Sequence, residues 1–213
     1  MAPALPSVSH DCPLCPRLVT FRNDLRIAEP DWHNAPVPSF GSPEAKLLIV
    51  GLAPGMHGAN RTGRPFTGDW AGDLLYATLL KYGLATGEYK EDPNDGLTLV
   101  DCRITNAVRC LPPENKPVGQ EINSCGKFLA QEIAAMPNLK AIVALGTVAH
   151  GAILVANGEK RGARKFAHGA QHGLTNGLLL ADSYHCSRYN TNTGRLTEPM
   201  FHAVFEGLLA RLV

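Results

Sequence analysis

The chain lacks any apolar run near the roughly 18 residues a bilayer span requires, so no membrane partner is expected. It also lacks a secretory signal. Its first residues, MAPALPSVSHD, offer neither a basic start nor a long apolar stretch. An excess of one charge is missing too. Twenty Lys and Arg against 19 Asp and Glu leave a net charge of +1. That neither announces nucleic acid nor excludes it, because acids elsewhere can balance a basic face. Charged residues make up 18% and apolar residues 45%, which excludes an intrinsically disordered chain. No repeat and no linker divides the sequence. The 213 residues suffice for one domain, 1–213, with no need of a disulfide scaffold. A soluble, cytoplasmic, monomeric protein is the expectation.

What is present is an alternation. Lys46–Val50, Cys102–Val108, Ala141–Leu145 and Gly177–Ala181 are short apolar runs that predict strands. Between and after them, 70–84, 121–136, 147–156 and 198–212 have helical apolar spacing. An earlier amphipathic stretch, Arg17–Ala28, places Leu18, Phe21, Leu25 and Ile27 at similar spacing. Such an order predicts an α/β fold: a single-domain three-layer α/β/α sandwich with a central, mainly parallel four-stranded sheet. In such sheets ligands bind beyond the carboxyl ends of the strands. The loops after Val50, Val108, Leu145 and Ser183 are therefore the ones that matter.

Six cysteines in a chain without a secretory signal point to metal or thiol chemistry. Cys12 and Cys15 share one turn, whereas Cys110 and Cys125 have fourteen residues between them. A zinc ribbon usually has a second close pair, and none exists here. The spacing fits an iron–sulfur cluster somewhat better, with a zinc ion or buried thiols as alternatives. Cys102 falls within a predicted strand and reads as core.

The densest feature is the loop GLAPGMHGANRTGRPFTGD, residues 51–69. It is neither a P-loop nor a dinucleotide GxGxxG. Its glycines let backbone approach a flat ligand. This loop, ITNAVRCLPPENKP (104–117), HCSRYNTNTGRLT (185–197) and the four cysteines resemble the family 5 (type B) uracil-DNA glycosylases of bacteria and archaea. One departure stands out: that family's third motif usually reads His-Pro-Ser, and here Cys186 replaces the proline.

The resemblance implies a monofunctional DNA repair glycosylase. It would flip uracil, hypoxanthine or xanthine from double- or single-stranded DNA and hydrolyse the N-glycosidic bond. In family 4 an acid follows the first glycine, but Leu52 stands there, so by resemblance Asp69 is the catalytic carboxylate. Asp69 also precedes a helix and suits an N-cap. The resemblance gives His185 the role of donor to the departing base, and Asn190 that of positioning water or contacting sugar or phosphate. Phe66 would stack on the base, Asn106 would read its edge, and Gly51, Ala53, Gly55, His57 and Asn60 would shape its pocket. Ser187, Arg188, Tyr189 and Arg195 would meet the DNA, with Tyr189 filling the gap left by the flipped base. Lys160, Arg161, Arg164 and Lys165 form a candidate phosphate patch. Cys12, Cys15, Cys110 and Cys125 would hold a 4Fe–4S cluster that ties residues 1–45 to the domain. A non-enzymatic iron–sulfur nucleic-acid binder and a nucleoside hydrolase are the rival readings.

Overall fold

A computed structural model describes residues 5 and 8–212 of the chain. The four apolar runs form the centre of a sheet: β2 (Leu47–Gly51), β5 (Cys102–Asn106), β6 (Ala141–Leu145) and β8 (Leu179–Ser183), all parallel to one another. The sheet has six strands rather than the expected four. β1 (Phe40–Gly41) and β7 (Gln171–Gly173) pair antiparallel on its two edges, in the order β1-β5-β2-β6-β8-β7. These edges are only two or three residues long and carry no apolar alternation. A separate hairpin-like pair joins β3 (Ala85–Thr86) to β4 (Thr98–Leu99).

The pleat sorts the core into two layers. Leu47 and Ile49 face α3 (Trp70–Lys81) and α7 (Glu198–Leu209), meeting Leu75, Leu79, Phe201 and Phe205. Leu48 and Val50 point the other way, toward Leu129 and Ile153 of α4 (Gly119–Ala134) and α5 (Thr147–Ala156). Cys102 is fully buried in the first layer, as its strand position predicts. The N-terminal helix α1 (Pro16–Ala28) begins with proline at its first position and buries Leu18 and Leu25. Ile27 instead faces solvent, and Arg22 takes the third buried position. No helix among the described residues is long and apolar enough to cross a membrane.

Chain direction reverses around β2: the next parallel strand, β5, lies on one side and β6 on the other. The crevice beyond β2 is therefore a topological switch point. The glycine-rich loop leaves β2 directly into it. That loop contains a short helix, α2 (Ala59–Thr62), closed by Gly63 at a φ of +75°. Arg64 pins its far end. Its guanidinium donates to both carboxylate oxygens of buried Asp95, at 2.8 and 2.7 Å, and to Thr67 Oγ1 at 2.7 Å. The guanidinium holds the Asp95 carboxyl well below the usual carboxylate range.

Behind the last parallel strand, Asp182 is fully buried between two imidazoles. His150 Nδ1 stands 2.7 Å from its Oδ1, and His172 Nε2 stands 3.1 Å from its Oδ2. His150 Nε2 also reaches the Arg164 carbonyl at 3.0 Å. This network fastens the 160–170 loop to the sheet.

Candidate active site

A cavity of about 860 Å³ opens at the carboxyl ends of β2, β5, β6 and β8. The ends of all four strands and the loops after them contribute to it, through 52–59, Asn106 and Asn115, 145–148, and 184–185 with 187–190. Asp69 and His185, from segments far apart in the chain, line the same cavity.

Asp69 has two roles for its two oxygens. Oδ1 accepts from the Ala71 amide at 3.1 Å and caps α3. Oδ2 lies over the glycine-rich loop, where a Cβ built on Gly55 would meet it at 2.8 Å. A Cβ on Gly58 would come within 2.7 Å of Asp69 Cγ, so both positions must stay bare for the carboxylate to occupy this place. Burial raises the Asp69 pKa above 3.8, opposed by the amides of Gly72 and Ala71.

Phe66 is held at a positive φ of +55°, which L residues adopt rarely. Tyr89 helps to hold it, donating its hydroxyl to the Phe66 carbonyl at 3.2 Å. The ring lies stacked beside His185, with centroids 5.9 Å apart and planes 26° from parallel. A Cβ on Gly51 would meet Phe66 Cζ at 2.6 Å and also collide with Asn106 Oδ1. Gly51 therefore does not line the cavity. It makes room behind it for Phe66 and Asn106. Asn106 ends β5 opposite Gly51, and its Oδ1 is buried with no hydrogen-bond partner in the protein.

His185 follows β8. Burial pushes its pKa down to about 4, so the imidazole is neutral at physiological pH. Its Nδ1 is buried and likewise unpartnered. Orphaned buried polar atoms are rare, and two of them, on Asn106 and His185, belong to residues lining one cavity. Asn190 donates Nδ2–H to the His185 carbonyl at 2.8 Å, bracing the loop that carries the imidazole. Cys186 is fully buried, and its thiol donates to the Ala71 carbonyl at 3.4 Å.

Not every residue singled out above faces the cavity. Asn60 is turned inward, donating to Asn34 Oδ1 at 2.9 Å, and holds the shape of the loop. His57 does line the cavity, from its exposed rim, edge-on to Trp32. Ala53 and Gly55 do line the cavity.

Residues 187–195 are not an extended loop but enclose a short helix, α6 (Arg188–Asn192), capped by Ser187. Trp70 Nε1 donates to Thr191 Oγ1 at 2.8 Å, and the Arg188 guanidinium lies 5.5 Å from the Trp70 ring centroid. Tyr189 is 71% exposed at the tip. Arg195 covers the Tyr184 ring at 4.6 Å. Of the four basic residues in 160–165, Arg161 donates to Asn123 and Arg164 to Glu159, which leaves Lys160 and Lys165 in solvent. Trp70, Phe166, Tyr184 and Gly146–Val148 also line the cavity and were not singled out in the sequence. Gly146–Val148 follow a strand identified above, whereas Phe166 carries no local signal.

Away from this cavity, Cys12, Cys15, Cys110 and Cys125 line one small apolar cavity together with Arg22 and Phe128. Arg17 brings them there, donating to both Glu121 oxygens at 2.8 Å and so fastening α1 to α4. The Arg109 amide donates to Cys125 Sγ at 3.3 Å. Four sulfurs about a zinc ion at ~2.3 Å would stand ~3.8 Å apart. Among the described residues no three of these sulfurs lie mutually within 4.8 Å. Burial pushes the Cys110 thiol up to about 12 and the Cys125 thiol to about 11, with the neighbouring thiols adding to both.

The model of the uracil DNA glycosylase superfamily matches residues 38–209. The type-5 uracil-DNA glycosylase of Thermus thermophilus is 46% identical over 196 residues, spanning 89% of this chain and 89% of the relative. Those of Mycobacterium leprae and Pyrobaculum aerophilum are 42% and 39% identical, covering 91% and 88% of this chain and 88% and 83% of their own lengths.

Proposed function

From this chain's place in the uracil DNA glycosylase superfamily, to which it belongs, we propose that it excises uracil and other deaminated bases, hypoxanthine and xanthine among them, from DNA. The carrying observation is the cavity that brings the Asp69 carboxylate and the neutral His185 imidazole together at the switch point of a parallel sheet.

Hydrolysis of the C1′–N bond develops positive charge on the sugar and negative charge on the departing base. Asp69 Oδ2, free of the capping bond, faces the sugar, favouring the cation and orienting the attacking water. His185 is neutral and so carries one N–H. Donated to the base oxygen, that N–H stabilises the leaving anion without losing a proton first. Phe66 stacks on the extruded ring, and the Asn106 amide reads its edge with donor and acceptor together. Extrusion costs a few kcal/mol, and Tyr189 at the tip of α6 is placed to fill the gap. Among the described residues lining the cavity none is a lysine, which favours hydrolysis over an amine-mediated lyase step. The breadth of the cavity and the aliphatic Leu52 and Ala53 at its wall support acceptance of purines beside uracil.

The four-cysteine cavity is read as the seat of a 4Fe–4S cluster held by Cys12, Cys15, Cys110 and Cys125. When bound, it would supply cross-linking of α1 to the β5–α4 unit, and the hydrolysis needs no electron transfer from it.

Duplexes carrying one uracil, hypoxanthine or xanthine, treated with the protein and then with alkali, test the proposal. Strand breaks at the lesion are expected for all three. Breaks at uracil alone would restrict the substrate range, and none at any lesion would end the enzymatic reading in favour of a DNA-binding protein. Cleavage of free deoxyuridine would favour a nucleoside hydrolase.

A further inference from the structure

Four arginines are buried in the described residues: Arg22, Arg64, Arg103 and Arg109. Three have carboxylate partners. Arg64 holds Asp95, and Arg103 and Arg109 share Glu132 at 2.7 and 2.6 Å. Arg22 has none among the described residues, although it is only 6% exposed. Its two terminal nitrogens both reach the Cys12 carbonyl at 3.3 Å. Its Nε is buried with no acceptor. An isolated buried guanidinium with an unused N–H is costly. Such a group does not stay unpaired without a reason.

The side chain lines the small cavity shared by the four cysteines. Two other charges near that cavity are already answered, Glu121 by Arg17 and Arg109 by Glu132, while Lys127 lies over the ring of Phe128 at the cavity wall. A cluster with four thiolate ligands carries net negative charge, and its sulfurs accept hydrogen bonds. We propose that Arg22 is the cluster's counter-ion, with its Nε–H donated to a thiolate or sulfide sulfur, and that it sets the reduction potential and air stability of the group. The proposal rests on the reading that this cavity holds a 4Fe–4S cluster. It uses no part of the glycosylase cavity, so it concerns cofactor retention and potential, not base excision.

The test uses the full chain purified anaerobically, with Arg22→Met and Arg22→Lys beside the wild type. Iron and acid-labile sulfide are counted, the potential is read by redox titration, and bleaching of visible absorbance is followed in air. Arg22→Met, which loses both charge and donor, is expected to shift the potential negative and to bleach at least about tenfold faster, the scale on which outer-shell partners act on metal sites. Arg22→Lys, which keeps the charge, should fall between. Should Arg22→Met fail to fold, Arg22→Gln, which removes the charge and keeps a polar side chain, decides: a wild-type potential and bleaching rate in it would overturn the counter-ion role, and a negative shift would support it. Unchanged behaviour in both variants at full iron content overturns the proposal alone. Wild-type protein free of iron and sulfide overturns the cluster reading, and this proposal with it.

Discussion

Asp69 joins two functions in one side chain, and two substitutions separate them. Asp69→Asn keeps the Oδ1 acceptor for the Ala71 amide, which now stands at 3.1 Å, and replaces only the oxygen over Gly55 and Gly58. Asp69→Ala removes both. Asn and Asp are near-equal caps, whereas loss of the cap to alanine costs about 1 kcal/mol. In a chain of this length that is a fall of about 2–4 °C in Tm for Ala and almost none for Asn. The pH dependence carries a second signature. Because burial raises the Asp69 pKa above 3.8, the folded protein keeps a proton that the unfolded chain has released, and stability falls as pH rises through that window. The asparagine variant escapes this loss, so its Tm should gain on the wild type from about pH 4 upward and then hold level. Single-turnover excision from a uracil duplex is expected to fall at least about 100-fold in both variants alike. Near wild-type excision by Asp69→Asn, with a slow and unstable Asp69→Ala, would reduce Asp69 to a cap and refute the assignment.

Further expectations concern the surrounding parts. Gly58→Ala would press a methyl group against Asp69, and calorimetry should find a folded protein whose excision rate has dropped about tenfold or more, the cost of misplacing a reacting group. His185, with its pKa lowered from 6.5 to about 4, stays neutral in the fold while the unfolded chain protonates, so stability is lost as pH falls from 6.5 toward 4. His185→Gln should flatten that slope in a Tm-against-pH series and still cost excision. Arg64→Met leaves the Asp95 carboxylate buried without its cation, and urea titration should register a loss of about 3–5 kcal/mol. Arg188→Ala, which uncovers Trp70, should weaken DNA binding and reduce its salt dependence by about one counterion, with little change in excision at saturating protein.

Much of this molecule is legible in its sequence, for physical reasons that differ by element. The parallel strands are apolar runs because both faces are covered, and Leu47 to Val50 send alternate side chains into both layers. The edges Phe40–Gly41 and Gln171–Gly173 bury little and carry no such mark. The helices α2 and α6 are too short for a period and sit among residues that read as loop. Loop 51–69 can be recognised as special, but not which of its members face inward. Asn60 and Gly51 turn away from the cavity, one to Asn34 and one to make space. The fastenings are the least legible. Arg64 and Asp95 are ordinary charges 31 positions apart, and His150 and Asp182 are 32 apart. Only the fold makes them partners.

Cys186 lies beside the imidazole in sequence, and its sulfur reaches across 115 positions to the first turn of the helix that Asp69 begins. The carboxylate and the imidazole are thus mechanically linked by a strut that does not run through the sheet. A shift of the first turn of α3 is thereby passed to the loop that carries the imidazole, and with it to the gap between the two groups. A bulkier atom at that sulfur, such as an added oxygen, would lengthen the strut and widen the gap at the one place where the reaction tolerates least error.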